Sequence, residues 1–265
     1  MSEGTGIAAA GAPSRFALTK EALRSAVEPG RRIAVVGGFR SGTNYLRFLL
    51  EANFACVVRF DRFGWKHAGI PIQQRWRRTR DLRAPVVGVS RDPFAFLRSV
   101  HRYHVEVGRN IDASADWAAF LRNSFTVFDG NKTRSPQYRF ANPVQYWNFV
   151  NWNLATLPEL TIRSAHVRYE ELAADPERVV MKLASEMGLK RRRAEFEAPI
   201  GKLKRTAGGR HDVSSQVSKT QGFDRTEILQ SDPRESYAVE DADYVWSELD
   251  KELLRLTGHR SKDFE

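Results

Sequence analysis

The stretch "RRIAVVGGFRSGTNYLRFLLE", residues 31–51, runs from an apolar segment through a glycine-rich turn into an amphipathic one. "RRIAVVGG" (31–38) reads as a buried strand. In "SGTNYLRFLLEA" the side chains of Tyr45, Leu46, Leu49 and Leu50 recur at helical spacing and share a face. A strand that feeds a glycine-rich turn into a helix start builds a phosphate cradle, because the first N–H groups of a helix have no partner within it. Gly37 and Gly42 stand at the G-x-x-x-x-G spacing of such a loop. A nucleotide triphosphatase would continue with lysine and then a magnesium-binding hydroxyl, but Thr43 and Asn44 follow here. The loop's cation is Arg40, inside the turn. The turn therefore suits an anionic ligand whose reactive group needs no metal; the alternative is an ordinary strand-to-helix turn.

Two further segments repeat the pattern. "APVVGVSRDP" (84–93) is a short apolar run, then polar residues, then a proline opening the helix "FAFLRSVHRYHVEV". "SAHVRYEEL" (164–172) reads as a third strand. The helix after it is capped by Asp175, carries Pro176 in its first turn and closes at Gly188. Strands alternating with helices predict an α/β fold, a parallel sheet flanked by helices with ligands at the strand C-termini. No repeat or domain break interrupts the pattern, so one domain over 16–265 is expected behind a flexible tail, 1–15. The aromatic segment 123–146 reads as a loop-like insertion over the site, and 205–240 as Gly-, Ser- and Asp-rich chain.

With 265 residues, 42% of them hydrophobic, the chain is long enough to bury a sizeable core. Cys56 is the single cysteine, which excludes an internal disulfide and argues for a reducing, cytoplasmic setting. The tail lacks the basic start of a signal peptide, and no apolar run approaches the ~20 residues of a membrane span. A net charge of +10 points to an anionic partner or substrate. Arginines cluster in "RWRRTRDLR" (75–83), yet no zinc finger, RNA-recognition signature or basic zipper accompanies them, which argues against nucleic acid.

In this setting "RSGTNY" (40–45) resembles the 5′-phosphosulfate loop of sulfotransferases that use 3′-phosphoadenosine 5′-phosphosulfate (PAPS), with Arg40 in place of the lysine of the eukaryotic cytosolic enzymes. Arg91 and Ser99, eight residues apart, resemble the family's 3′-phosphate motif, and "VRYEELAADPE" (167–177) its later tyrosine–acid pair. The resemblance spans residues 33 to about 189 and implies the P-loop-like sulfotransferase fold. It implies transfer of a sulfonate from PAPS, without a metal, to a hydroxyl or amine of a small-molecule, lipid or carbohydrate acceptor. It assigns Arg40, Ser41, Gly42, Thr43, Asn44, Tyr45, Arg91, Ser99 and Tyr169 to the nucleotide. Tyr45 would stack on adenine or pack in the core; Tyr169 would approach the base or pack at a strand end. Ser99 lies ~9 Å along its helix from Pro93, within reach of a long guanidinium at Arg91; an ion pair with Asp92 is the other use of that arginine.

"FGWKHAGIP" (63–71) resembles the family stretch that carries a lysine and a catalytic histidine, separated there by one residue and adjacent here. The implied general base is His67, with Lys66 stabilising the sulfonate and Arg40 bonding the bridging oxygen or the 5′-phosphate. Neighbours on an extended segment face opposite sides, so both reach the sulfonate only if the segment is irregular. His101 and His104 lie at i, i+3, but no third metal ligand stands at suitable spacing. In "ANPVQYWNFVNW" (141–152), Tyr146 and Trp147 pack in the core or touch acceptor. The family's C-terminal Arg-Lys-Gly segment has no counterpart; "KLKRTAGGR" (202–210) and Lys219 are the candidates to replace it. A P-loop kinase or NTPase and a basic nucleic-acid-binding module are the rival functions.

Overall fold

The structure, a computed structural model, describes residues 31–60, 66–67, 85–107, 110–128, 138–160, 163–198, 203–205, 211–213 and 232–259. The tail, the arginine cluster at 75–83 and Lys219 lie outside the described residues. In chain order the elements are β1 (Arg31–Gly37), α1 (Thr43–Asn53), β2 (Cys56–Arg59), β3 (Val86–Ser90), α2 (Pro93–Val107), β4 (Ile111–Asp112), α3 (Trp117–Arg122) and β5 (Phe125–Val127). They continue with β6 (Tyr138–Phe140), α4 (Pro143–Ala155), α5 (Leu157–Leu160), β7 (Ser164–Arg168), α6 (Tyr169–Ala174), α7 (Pro176–Met187), β8 (Leu203–Arg205), β9 (His211–Val213), α8 (Val239–Glu248) and α9 (Lys251–Leu256).

The main sheet has the order β2-β1-β3-β7. β3 pairs in parallel with both neighbours, Gly37 opposite Val89 on one side and Ser90 opposite Arg168 on the other. Because both faces are covered, β1 and β3 are apolar on both sides. Alternate residues of β1 divide between two cores: Ile33 and Val35 join Leu46, Leu49, Leu50 and Leu183. Ala34 and Val36 join Phe96, Leu97, Val150 and Leu254 on the other face. The fold is thus α/β, a parallel sheet flanked by helices, as expected, and the described residues from Arg32 on belong to one compact unit.

Two expectations change. The third strand stops at Arg168, where Tyr169 opens α6, so "YEELAA" is helical. Segment 123–146 is not simply a loop. It contains β5 and β6, which with β4 form a three-stranded antiparallel sheet, and then the start of α4. Phe125 and Val127 point one way into the core, an alternation too short to register as a period in sequence. Residues 129–137 lie outside the described ones. The caps match the reading: Asp175 accepts the Arg178 N–H at the start of α7, and Gly188, at φ 61°, ends it.

β1 reaches the site through one close approach. A Cβ on Gly37 would stand 2.4 Å from the Val89 carbonyl oxygen and 2.8 Å from Ser41 Oγ, where the backbone atom has no room to yield. Gly37→Ala is expected to destabilise the fold by about 1–3 kcal/mol, seen as a lower urea midpoint at unchanged m-value. A wild-type midpoint would mean that β1 and β3 are not held at this separation.

Candidate functional site

The turn from β1 into α1 passes through two left-handed residues, Arg40 at φ 59° and Gly42 at φ 92°. The conformation suits Gly42 and strains Arg40, which therefore needs outside support. It has two supports: its carbonyl accepts from Arg91 Nη1 at 3.0 Å, and its Nε donates to Ser99 Oγ at 3.3 Å. Ser41 is buried and turns inward, its Oγ donating to the Gly38 carbonyl at 2.8 Å. Gly42 is the N-cap of α1 and has no side chain with which to cap the first N–H groups of the helix.

Arg91 follows β3 directly, and Tyr169 follows β7, so the parallel pairing sets the two side by side at the sheet's C-terminal end. The Tyr169 ring fills the space over Gly42, where a Cβ would stand 2.3 Å from its Cδ2. The guanidinium of Arg91 lies over the same ring, 4.7 Å from its centroid. Desolvation pushes Arg91 below its ordinary value, against the pull of Tyr169 and Glu170. Its Nε is buried without a hydrogen-bond partner, as is Oε2 of Glu170. Glu170 Oε1 accepts the Asp92 N–H at 3.0 Å, and Asp92 Oδ1 accepts the Ala95 N–H at 2.9 Å. Burial raises Glu170, and burial with the nearby Glu170 charge pushes Asp92 up to about 7. Both carboxyls therefore give the arginines less counter-charge than their number suggests.

Lys66 and His67 lie along the end of β1. The Gly37 N–H donates to the Lys66 carbonyl at 3.1 Å, and His67 Nδ1–H donates to the Gly37 carbonyl at 2.7 Å. The imidazole stacks on Phe39 at 4.5 Å between centroids, with planes 20° apart. The buried Tyr146 hydroxyl joins the same knot, donating to the His67 carbonyl at 3.0 Å and accepting the Phe39 N–H at 3.3 Å. Burial, with the Lys66 charge next, holds His67 well below the ordinary histidine value, so it is neutral. Lys66 faces the other way, its Nζ 2.7 Å from Asn44 Oδ1 and 3.7 Å from the centroid of the Phe60 ring. Burial, with Arg47 adding repulsion, pushes it down to about 7.

The structure thus gathers Arg40, Ser99, Arg91, Gly42 and Tyr169 into one cluster, and sets Lys66 and Asn44 together at the start of α1. Thr43 is buried beneath the turn, and Tyr45 packs on the core cluster under α1. His67, the expected base, spends Nδ1–H on Gly37. Tyr146 and Trp147 are both buried. His101 donates Nε2–H to the Ala115 carbonyl at 2.8 Å, and no three His, Cys, Asp or Glu come together among the described residues. No described helix is long and apolar enough to cross a membrane. Sequence reasoning does not single out Phe39, which lies inside the quoted loop, nor the links from Trp147 Nε1 to the Arg91 carbonyl at 2.9 Å and from Ser90 to two histidines. No local spacing signals those contacts.

No protein-family model, no curated protein and no solved structure matches this chain.

Tyr146→Phe deletes the oxygen that bonds both the Phe39 N–H and the His67 carbonyl. The expected loss is about 1–3 kcal/mol of stability, measured by urea unfolding, with faster amide exchange at Phe39. Unchanged exchange at Phe39 would remove Tyr146 from the loop's support.

Proposed function

We propose that the protein is a sulfotransferase that moves a sulfonate from PAPS to a hydroxyl or amine of a small-molecule, lipid or carbohydrate acceptor and releases 3′,5′-ADP. One observation carries this reading. A phosphate-type turn without its lysine lies hydrogen-bonded to Arg91, with Ser99 and Tyr169 in the same cluster. The residues fit an anionic nucleotide: Arg91 keeps a buried Nε with no partner among the described residues, and the α1 N-cap is a glycine with no side chain of its own to cap the helix start. Burial raises both nearby carboxyls, Asp92 to about 7, which weakens their hold on the cations.

The donor supplies an activated sulfonate on a phosphate leaving group. Transfer joins the acceptor oxygen or nitrogen to sulfur and breaks the bond to the bridging oxygen, which leaves with the electron pair. Arg40 and the N–H groups at the start of α1 are the charges on this side to stabilise that oxygen. The acceptor's proton needs a base. His67, expected as the base, is buried with Nδ1–H on the Gly37 carbonyl and its ring on Phe39, and is assigned instead to hold those two residues in place. Lys66, close to half neutral near pH 7, is assigned the proton.

3′,5′-ADP at a hundred times its Kd is expected to add about 2.7 kcal/mol of stability in a thermal shift, and Arg91→Ala to lose most of it. A shift with ATP and magnesium alone would make the protein a kinase or NTPase. Salt-sensitive oligonucleotide binding with no nucleotide response would make it a nucleic-acid-binding module.

Turnover, followed as label passing from labelled PAPS into a metabolite extract, is expected to rise with pH above about 7, because Lys66 sits at about 7 in the empty site and the bound anion raises it from there. Lys66→Arg keeps a cation and removes the base. It should retain the nucleotide shift and lose about 10²–10⁴-fold in rate. Wild-type turnover in that variant would return Lys66 to a purely electrostatic role.

A further inference from the structure

Ser90, the last residue of β3, sits directly before Arg91 and is buried. Its hydroxyl is shared by two imidazoles: Nε2 of His259 at 2.7 Å and Nε2 of His166 at 2.8 Å. The two histidines come from different parts of the fold. His166 is on β7, opposite Gly88, and is exposed on one side while its Nε2 bonds the buried hydroxyl. His259 is buried and follows α9. α9 ends on Gly258 at φ 72°, and the His259 N–H returns to the Leu254 carbonyl at 2.9 Å, a reversal that turns the chain back toward the sheet. Arg168 fixes this end, donating to the Gly258 carbonyl at 2.6 Å while paired with Glu171.

A second link runs from His259 to Arg91. The Trp147 ring meets the His259 ring edge-on at 6.1 Å, and the Trp147 indole N–H donates to the Arg91 carbonyl at 2.9 Å. We propose that Ser90, His166 and His259 form a positioning device that ties the C-terminal helix pair to Arg91 and weakens anion binding there when the imidazoles become protonated. The proposal rests on Arg91 as a ligand-binding residue, as above, and adds the control of that site.

The proton count makes the cluster a switch. A serine hydroxyl has one proton, so in the neutral cluster one Nε2 donates to Oγ and the other, bare, accepts from it. With both rings protonated, two donors face one oxygen and the hydroxyl's own proton has lost its acceptor. The charged groups facing the rings favour the neutral state. Arg168 opposes a charge on either ring, a charge on His166 opposes one on His259, and Glu171 favours charge on His166. Desolvation is the largest cause for both, and it pushes the buried His259 down to about 3. Because the folded value lies below the ordinary 6.5, the stability from this cluster is complete above pH 6.5 and is lost as pH falls toward the folded value.

Two readouts test the device. In the wild type, the Trp147 indole N–H resonance (assigned with Trp147→Phe) should move together with the imidazole resonances of His166 and His259 as pH is lowered across the range in which circular dichroism reports a folded chain. An indole signal that stays fixed while those rings titrate overturns the proposal, whatever the ligand. The second readout is the Kd for 3′,5′-ADP between pH 7.5 and the acid limit of folding. His259→Gln keeps a neutral hydrogen-bonding side chain and should bind like wild type at pH 7.5, with a shallower acid decline. His259→Ala should bind about tenfold more weakly even at pH 7.5, the loss of one net hydrogen bond. Titration of the nucleotide's own phosphates is common to all three proteins and cancels. Superimposable pH profiles for wild type and His259→Gln overturn the proposal. Absence of any wild-type response to 3′,5′-ADP defeats the sulfotransferase reading instead, and the indole titration then decides the link to Arg91 alone.

Discussion

The peptide group of Gly37 is held from both sides at the end of β1. Its N–H donates to the Lys66 carbonyl and its C=O accepts from His67 Nδ1–H, while its missing side chain lets the Val89 carbonyl lie where a Cβ would be. Everything at the site is positioned from there. The 66–67 segment is laid against the loop by these two bonds, and their directions send Lys66 toward α1 and His67 toward Phe39. Tyr146 then closes the far side by bonding the His67 carbonyl and the Phe39 N–H together. Buried hydrogen bonds of this kind contribute little net energy when made, but leaving one unmade costs much more. The knot therefore specifies one loop conformation more than it stabilises the fold.

A fixed loop matters because the residue at its tip is strained. Arg40 adopts a conformation that L residues rarely hold, and it does so with Arg91 bonded to its carbonyl and Ser99 to its side chain. Two guanidinium groups are thereby kept close in a partly buried place, which only a nearby anion or carboxylates can make comfortable. The carboxyls of Asp92 and Glu170, which act on Arg91, are themselves pushed toward the neutral form by burial. Among the described residues Arg91 Nε keeps an unmade hydrogen bond at this place.

How far this was legible in the sequence follows from range. The strand, turn and helix at 31–53 are local, written in glycine spacing and in the period of Leu46, Leu49 and Leu50, and they appear where expected. The parallel sheet follows from the same pattern repeated, and the approach of Arg91 to the loop follows from β1 and β3 being neighbours. β5 and β6 were not legible, since three residues cannot display a period and their stability comes from pairing with each other. His67 was visible as a histidine between two motifs, but its tautomer and enclosure are fixed by a carbonyl and an aromatic ring distant in sequence. Tyr45 and Tyr169 each had a packing alternative that only the structure could weigh. Tyr45 packs on the core, and Tyr169 packs on Gly42 while offering its face to Arg91.

The lysine absent after Gly42 has a spatial substitute. Lys66 brings its Nζ to Asn44, in the first turn of α1, so a cation arrives near the helix start from a different segment. The route changes its chemistry. A lysine carried on the loop itself is solvated and permanently charged, whereas Lys66 lies against Phe60 and close to Arg47, and is pushed down to about 7. An anion arriving at the turn would favour the protonated form, and its departure would favour the neutral one. The same nitrogen can therefore serve as a charge for the arriving anion and, above the pH to which that anion raises it, as a base for the acceptor. Arg40 has no such freedom, because a guanidinium holds its proton throughout. Fixed charge on the loop and adjustable charge beside it are thus divided between two residues, and the two bonds to Gly37 keep them in register.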